Sequence, residues 1–365
     1  MRMHLRLHGL FMAKLSVAFR ADSSKEIGMG HITRDIVLAS ALASDLNADI
    51  VFITHTNDSS RAALDTAGIP MLNLEPSPSL PQEKKRVLEL VEQIKPDIFI
   101  LDVLDGYKDQ EFQQMLKKKV MFLGIIFDNA DYAELPHADF VVNGNPLQLF
   151  HTYANKNKYL LGPSYFIMSS DYISLHKKNY TVKKTTKKLL ISLGGSDHNN
   201  LIFKVLRAIK SRLDIFSTTV ALGSAFGDKS KFFDFLKSEN INVKLFAGTS
   251  GLAHPFFDSD IAITAAGNTL FERLAVGTPG ITISQIVPHN KSRMQEETAS
   301  SFASQGATLH VGIGTEVSEK DILKNFDRLT EDYELRVSMS TKGKMLVDGL
   351  GVERITQFIS LMVNK

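Results

Sequence analysis

Phe19-Arg20-Ala21-Asp22-Ser23-Ser24-Lys25-Glu26-Ile27-Gly28-Met29-Gly30-His31-Ile32-Thr33-Arg34-Asp35 is the stretch from which the rest of the chain is read. The apolar run 15–19 in front of its loop predicts a buried strand, and Ile32, Ile36, Val37, Leu38, Ala41 and Leu42 recur behind it at helical spacing. The loop is therefore a strand-to-helix turn. Gly28 and Gly30 let backbone approach a ligand with no Cβ in the way, and the helix start offers unpaired N–H groups and a positive dipole end. His31 stands at that mouth. A helix N-terminus disfavours imidazolium, so His31 is expected to be largely neutral at pH 7, the form that serves as a general base. The alternative is a histidine that only caps the helix; the two glycines, with Asp22, Arg34 and Asp35 close by, favour a functional one.

Gly-x-Gly after a first strand also suggests a dinucleotide fold, which wants a third glycine and an acidic residue ending the second strand. This chain has Thr33 at the first position, and its second predicted strand, 50–54, runs into His55. Both features speak against NAD.

The chain has 365 residues, enough for two domains that each bury a core. Its 44% apolar and 22% charged residues are those of a globular protein, and a net charge of +2 gives no reason to invoke nucleic acid. The absence of cysteine excludes disulfides, thiolate catalysis and cysteine-ligated zinc, and fits a cytoplasmic location. No run of about 18 apolar residues predicts a membrane span. Residues 1–12 lack the continuous apolar region and cleavage site of a signal peptide and are expected to be a disordered extension.

Beyond the first helix, predicted strands at 50–54, 97–101, 120–127 and 140–142 alternate with helices at 60–67, 84–94 and 110–118. Such alternation gives a parallel sheet covered on both faces, with ligands bound beyond the carboxyl ends of the strands. Asp22, Asp102 and Asp128 each fall at a strand end, so all three are expected to face the crevice that His31 faces. Six lysines at 177, 178, 183, 184, 187 and 188 mark 173–188 as a basic, solvated linker between a first domain, 13–172, and a second, 189–365. The alternation then restarts, with strands at 189–193, 218–222, 243–246, 261–264 and 281–284. Helices are predicted at 200–212, 231–239, 269–276, 292–304 and 319–326. A last amphipathic helix runs through Ile359 and is a candidate to pack back on the first domain.

In the second half, Gly194-Gly195-Ser196-Asp197 follows the first strand, and Thr264-Ala265-Ala266-Gly267-Asn268-Thr269 follows the fourth and opens a helix. Both place small residues and free N–H groups where a diphosphate can sit without a lysine. Glu272, one turn on, either complements the helix dipole or accepts hydrogen bonds from a ribose diol, and Gln295 offers an amide. Gly277-Thr278-Pro279 reads as a helix stop. The residues thus describe a two-domain α/β protein that holds a nucleoside diphosphate in its second half and presents a histidine and carboxylates from its first.

The 19–35 stretch, with Gly162, Tyr165, the loops at 194–197 and 264–279, and the Asp348–Arg354 close, resembles the UDP-2,4-diacetamido-2,4,6-trideoxy-β-L-altropyranose hydrolases of pseudaminic acid biosynthesis. These are relatives of the glycosyltransferase that adds GlcNAc to lipid II. The resemblance runs from about residue 14 onward and implies a GT-B fold of two Rossmann-like domains facing across a cleft. It implies that His31 activates water to displace UDP with inversion and without a metal or cofactor. Arg20, Asp22, Gly28, Gly30, Arg34, Asp102, Asp128 and Tyr165 would then bind the sugar side. Gly194, Gly195, Ser196, Ala266, Gly267, Asn268 and Thr269 would face the diphosphate, Glu272 the ribose, Gln295 the nucleotide and Phe246 backbone the uracil. Four sugar-side positions depart from the family's pattern: Val103-Leu104 replace His-Tyr, Ser169 an arginine and Met294 an asparagine. A transferase, with His31 deprotonating an acceptor hydroxyl, is the alternative activity; a non-catalytic nucleotide-sugar binder is the third.

Overall fold

A computed structural model describes residues 14–24, 28–77, 79–104, 106–128, 133–223, 226–246, 251–286 and 293–364; the segment 1–12 lies outside them. The first half holds strands β1 (Ser16–Ala21), β2 (Asp49–Thr54), β3 (Met71–Asn73), β4 (Ile98–Asp102), β5 (Phe122–Ile126), β6 (Phe140–Asn143) and β7 (Tyr159–Leu161). Between them run helices α1 (Gly30–Leu46), α2 (Asp58–Thr66), α3 (Leu80–Ile94) and α4 (Gln110–Lys117). The second half holds α5 (Ser170–His176), β8 (Lys188–Ser192), α6 (Leu201–Ala208), β9 (Ser217–Ala221), α7 (Lys229–Ser238), β10 (Lys244–Phe246), α8 (Ala253–Phe257) and β11 (Ile261–Ala265). It continues with α9 (Asn268–Val276), β12 (Gly280–Ser284), α10 (Met294–Ser304), β13 (Leu309–Ile313), α11 (Glu319–Glu331) and α12 (Tyr333–Leu346). Last comes α13 (Gly351–Val363).

The strands form two parallel sheets, β3-β2-β1-β4-β5-β6-β7 and β10-β9-β8-β11-β12-β13. In each, the order reverses beside the first strand, so the chain leaves adjacent strand ends in opposite directions and opens a crevice there. In the first sheet that crevice lies between β1 and β4, where Ala21 pairs with Asp102. In the second it lies between β8 and β11, where Ser192 pairs with Thr264, so the loops after these strands are neighbours. An apolar layer covers each face of each sheet.

Three short or half-exposed strands, β3, β7 and β13, go beyond the predicted set: two have only three residues, and β13 is an edge strand whose first four residues are partly exposed. Helices α5, α8 and α12 were likewise not expected. The first changes the reading of the linker. Met168, Tyr172 and Leu175 are buried with α8 and α9 in the second half's core, so 170–176 packs there. The backbone behind it is tied down: Arg336 donates to the Lys183 and Lys184 carbonyls at 3.0 and 2.8 Å, and Tyr180 to that of Ser259 at 2.5 Å. The lysine side chains of the segment are exposed.

Helix α13 returns to the first half, with Val352, Ile355 and Ile359 buried beside α1 in the core of the first sheet. Where it arrives, the chain touches its earlier crossing. A Cβ on Gly351 would lie 2.3 Å from the Phe166 carbonyl oxygen, and Arg354 donates to Ser164 O at 2.8 Å. Ile355→Ala is expected to destabilise the protein by about 2–5 kcal/mol in chemical denaturation followed by circular dichroism, because the cavity opens under α1.

Candidate active site

Helix α1 starts without a side-chain cap and with no acid in its first turn, and α9 starts the same way at Gly267. Their leading N–H groups are therefore left for something else. Both starts open on one cavity of about 240 Å³ between the halves, lined by Gly30, His31, Arg34, Asp128 and Tyr165 from the first and by Ala266, Gly267, Asn268 and Gln295 from the second. Met294, Phe271 and Thr298 complete the second-half wall. Gly28, at φ +74°, makes the turn into α1, and a Cβ at Gly30 would meet nothing within 4 Å, so backbone is open to a ligand there.

His31 and Arg34, one turn apart on α1, converge on Asp102, the last residue of β4. His31 Nδ1 lies 2.7 Å from Asp102 Oδ1. Arg34 Nε donates to Asp102 Oδ2 at 2.6 Å, Nη2 to Oδ1, and Nη1 to Asp128 Oδ2 at 2.8 Å. Asp102 itself is wholly buried and touches the cavity only through these two. A carboxylate on Nδ1 fixes that nitrogen as the donor, and Nε2, with no partner among the described residues, is the free basic position.

Arg20 and Asp22 are not among the cavity's lining. Arg20 is buried and clamps two carboxylates, Asp22 Oδ1 at 2.6 Å and Glu83 Oε1 at 2.8 Å. Asp22 also accepts the His55 backbone N–H at 2.9 Å, and His55 Nε2 lies 3.3 Å from Glu83 Oε2. Asp22, His55 and Glu83 are the one group of potential metal ligands found among the described residues, and the Arg20 guanidinium already supplies the cation there. Glu83 escaped the sequence reading because its partner is 63 residues away.

On the second half, Gln295 lines the cavity and accepts the Gln285 backbone N–H at 2.9 Å. Gln285 in turn donates to the Leu193 carbonyl, which ties the β8 loop to the β12 loop. Gly194, Gly195 and Ser196 sit at the end of β8 and Phe246 at the end of β10; none lines the cavity, nor do Thr269 and Glu272. Asp197 turns inward, capping α6 by accepting from Leu201 and Ile202 N–H at 2.9 Å each. The two halves meet through a hydrogen bond with no signal in the sequence, Asn145 Nδ2 to Thr298 Oγ1 at 3.2 Å, both residues buried and 153 positions apart.

No protein-family model matches the chain. It is 28% identical over 353 residues to the spore coat polysaccharide biosynthesis protein SpsG of Bacillus subtilis, across 94% of this chain and 98% of that protein. It is 25% identical over 297 residues to the UDP-2,4-diacetamido-2,4,6-trideoxy-β-L-altropyranose hydrolase of Campylobacter jejuni, across 80% of this chain and 97% of that one. Among solved structures, MurG of Acinetobacter baumannii superposes with a TM-score of 0.69 at 13% identity, over 95% of this chain and 99% of MurG. A Staphylococcus aureus MnaA–UDP co-structure gives 0.62 at 12% identity, over 96% and 97%. The chain is similar to SpsG along nearly its whole length and has the GT-B fold.

In this GT-B protein the ionisation of His31 differs from the expectation of a ring held neutral by the helix start. Burial does work against imidazolium, and so does Arg34, but the Asp102 carboxylate on Nδ1, helped by Asp128, outweighs them and raises the midpoint above the ordinary histidine value. A full carboxylate at 2.7 Å prevails over the partial charge of a helix end. Asp102 is driven the opposite way: burial alone would raise it, while Arg34 and His31 hold it far below the carboxylate range. Glu272 is pushed up to about 7 by burial, with the Tyr172 hydroxyl opposing. In Asp102→Asn the His31 midpoint, followed by imidazole NMR, is expected to fall by about one unit or more, since the charge that favours imidazolium is gone.

Proposed function

We propose that the chain is a UDP-sugar hydrolase acting on a UDP-linked diacetamido-trideoxyhexose, in pseudaminic acid or related nonulosonic acid synthesis for surface glycans. The observation that carries this is the free Nε2 of a histidine whose Nδ1 is fixed by a buried aspartate, at a cavity that two uncapped helix starts share. Nε2 takes a proton from water as the water oxygen bonds to C1; the bond from C1 to the β-phosphate oxygen breaks, and its electron pair leaves with UDP. Attack from the side of the ring opposite the nucleotide inverts the anomeric centre. The growing charge on the departing phosphate is met by N–H dipoles of the α9 start and the neighbouring Gly194 loop, with no metal in the scheme. Asp102 compensates the imidazolium that forms and Arg34 keeps Asp102 in place. Glu272 would accept the ribose hydroxyls, Phe246 backbone would meet uracil, and Arg20 and Asp22 would act by shaping the loop after β1.

One observation favours transfer to an acceptor instead. The residues that depart from the hydrolase pattern include Met294, in the cavity wall, and Leu104, 64% exposed, both apolar where polar side chains are expected. A panel of UDP-sugars in 18O-labelled water separates the two: label at C1 of free sugar with no acceptor present supports hydrolysis, and turnover only on adding an acceptor supports transfer. His31→Ala is expected to lower UDP release by about 10²–10⁴-fold, and release at the wild-type rate would remove the mechanism. UDP affinity is expected to rise with pH through about 7 as Glu272 ionises. Glu272→Gln should flatten that dependence and weaken binding by roughly tenfold or more, as read by calorimetry.

A further inference from the structure

Asp35 is an acid beside His31 that the proposed chemistry leaves unused, and its surroundings are unusual. It lies on α1 one turn beyond His31 and next to Arg34, it is completely buried, and neither carboxyl oxygen is met by a donor among the described residues; its polar neighbour is another carboxyl, that of Asp102. Arg34, the cation beside it, is already committed: Nε and Nη2 go to Asp102 and Nη1 to Asp128. An ionised carboxylate sealed from water without a donor is far costlier than a neutral one.

We propose that Asp35 is kept as a neutral carboxylic acid, a positioning residue that stores one proton behind the His31–Asp102–Arg34 cluster and so fixes the charge His31 experiences. The charged groups acting on it are Arg34 on α1 and Asp102 on β4; His31 and Asp128 are the further partners of those two. With Asp35 neutral, His31, Arg34, Asp102 and Asp128 together carry one net negative charge while His31 is unprotonated and none once His31 holds the proton of the attacking water. With Asp35 ionised the cluster would remain negative even then, and the imidazolium would be slow to give its proton up. Two carboxylates this close cannot both ionise readily, and the donors decide which one keeps the proton: Asp102 is met by His31 Nδ1 and by Arg34 Nε and Nη2, Asp35 by none. Burial and the Asp102 charge both push Asp35 well above the usual carboxylate range, against a smaller pull from Arg34.

This inference takes His31 as the base from the proposed function, but its test uses no substrate, so the two fail separately. The infrared spectrum of the full-length protein at about pH 8.5, where Glu272 is ionised, is compared with that of Asp35→Asn. The expected result is a protonated-carboxyl C=O band in the wild type that Asp35→Asn lacks, with the His31 NMR midpoint moved by less than about 0.3 unit, since one neutral group replaces another. An unchanged carboxyl region, or a His31 midpoint lowered by about one unit, would overturn the proposal, because either means Asp35 was charged. Should the variant not fold, the Asp35 carboxyl carbon is followed by NMR in the wild type; a shift typical of the ionised form near neutral pH is equally fatal, and one typical of the acid form supports it.

Discussion

A carboxylate with no access to water, Asp102, is the constraint around which the first half is arranged. It ends a central strand, and its charge is met by two side chains from one helix, His31 and Arg34. Breaking such a buried pair leaves an uncompensated charge at a cost of about 3–5 kcal/mol, so α1 is held in both rotation and translation relative to the sheet. The imidazole therefore presents its second nitrogen to the cavity because Asp102 takes the first. The partners that would be a liability in an idle core are here the means of aiming a ring.

In the proposed reaction the second half contributes position where the first contributes chemistry. Its crevice loops are cross-tied by amides, with Gln295 holding the β12 loop, Gln285 the β8 loop, and Asn199 accepting from the Ile286 N–H at 3.0 Å. Uncharged ties of this kind keep backbone N–H groups pointing outward without placing a side-chain cation beside them. That suits the proposed binding of a diphosphate through peptide dipoles.

How far the sequence could be read depended on whether a signal was local. Long apolar runs such as 261–265 and 98–102 mark the central strands, and the turn around Gly28, Gly30 and His31 marks the site's mouth; all are contiguous in sequence. The alignment of Asp102 with His31 was accessible too, since parallel strands put their ends on one edge. Short strands such as β3 and β7 carry too few residues for any period to show. Ion pairs across long separations were hidden: nothing near Arg20 announces Glu83, and nothing near Asn145 announces Thr298. The sign of the His31 shift was misread for the same reason, because the helix end is local and its opponent, Asp102, is 71 residues away.

The chain passes from one half to the other twice, near Phe166 and near Gly351, and there the two passages are in van der Waals contact. A body joined to another by two adjacent points keeps one easy freedom, turning about the line through them. Sliding and twisting would stretch one passage or crush it against its neighbour. Gly351 is thus a spacer: any side chain there would have to push the two passages apart, shifting one half against the other without touching His31 or the opposite wall.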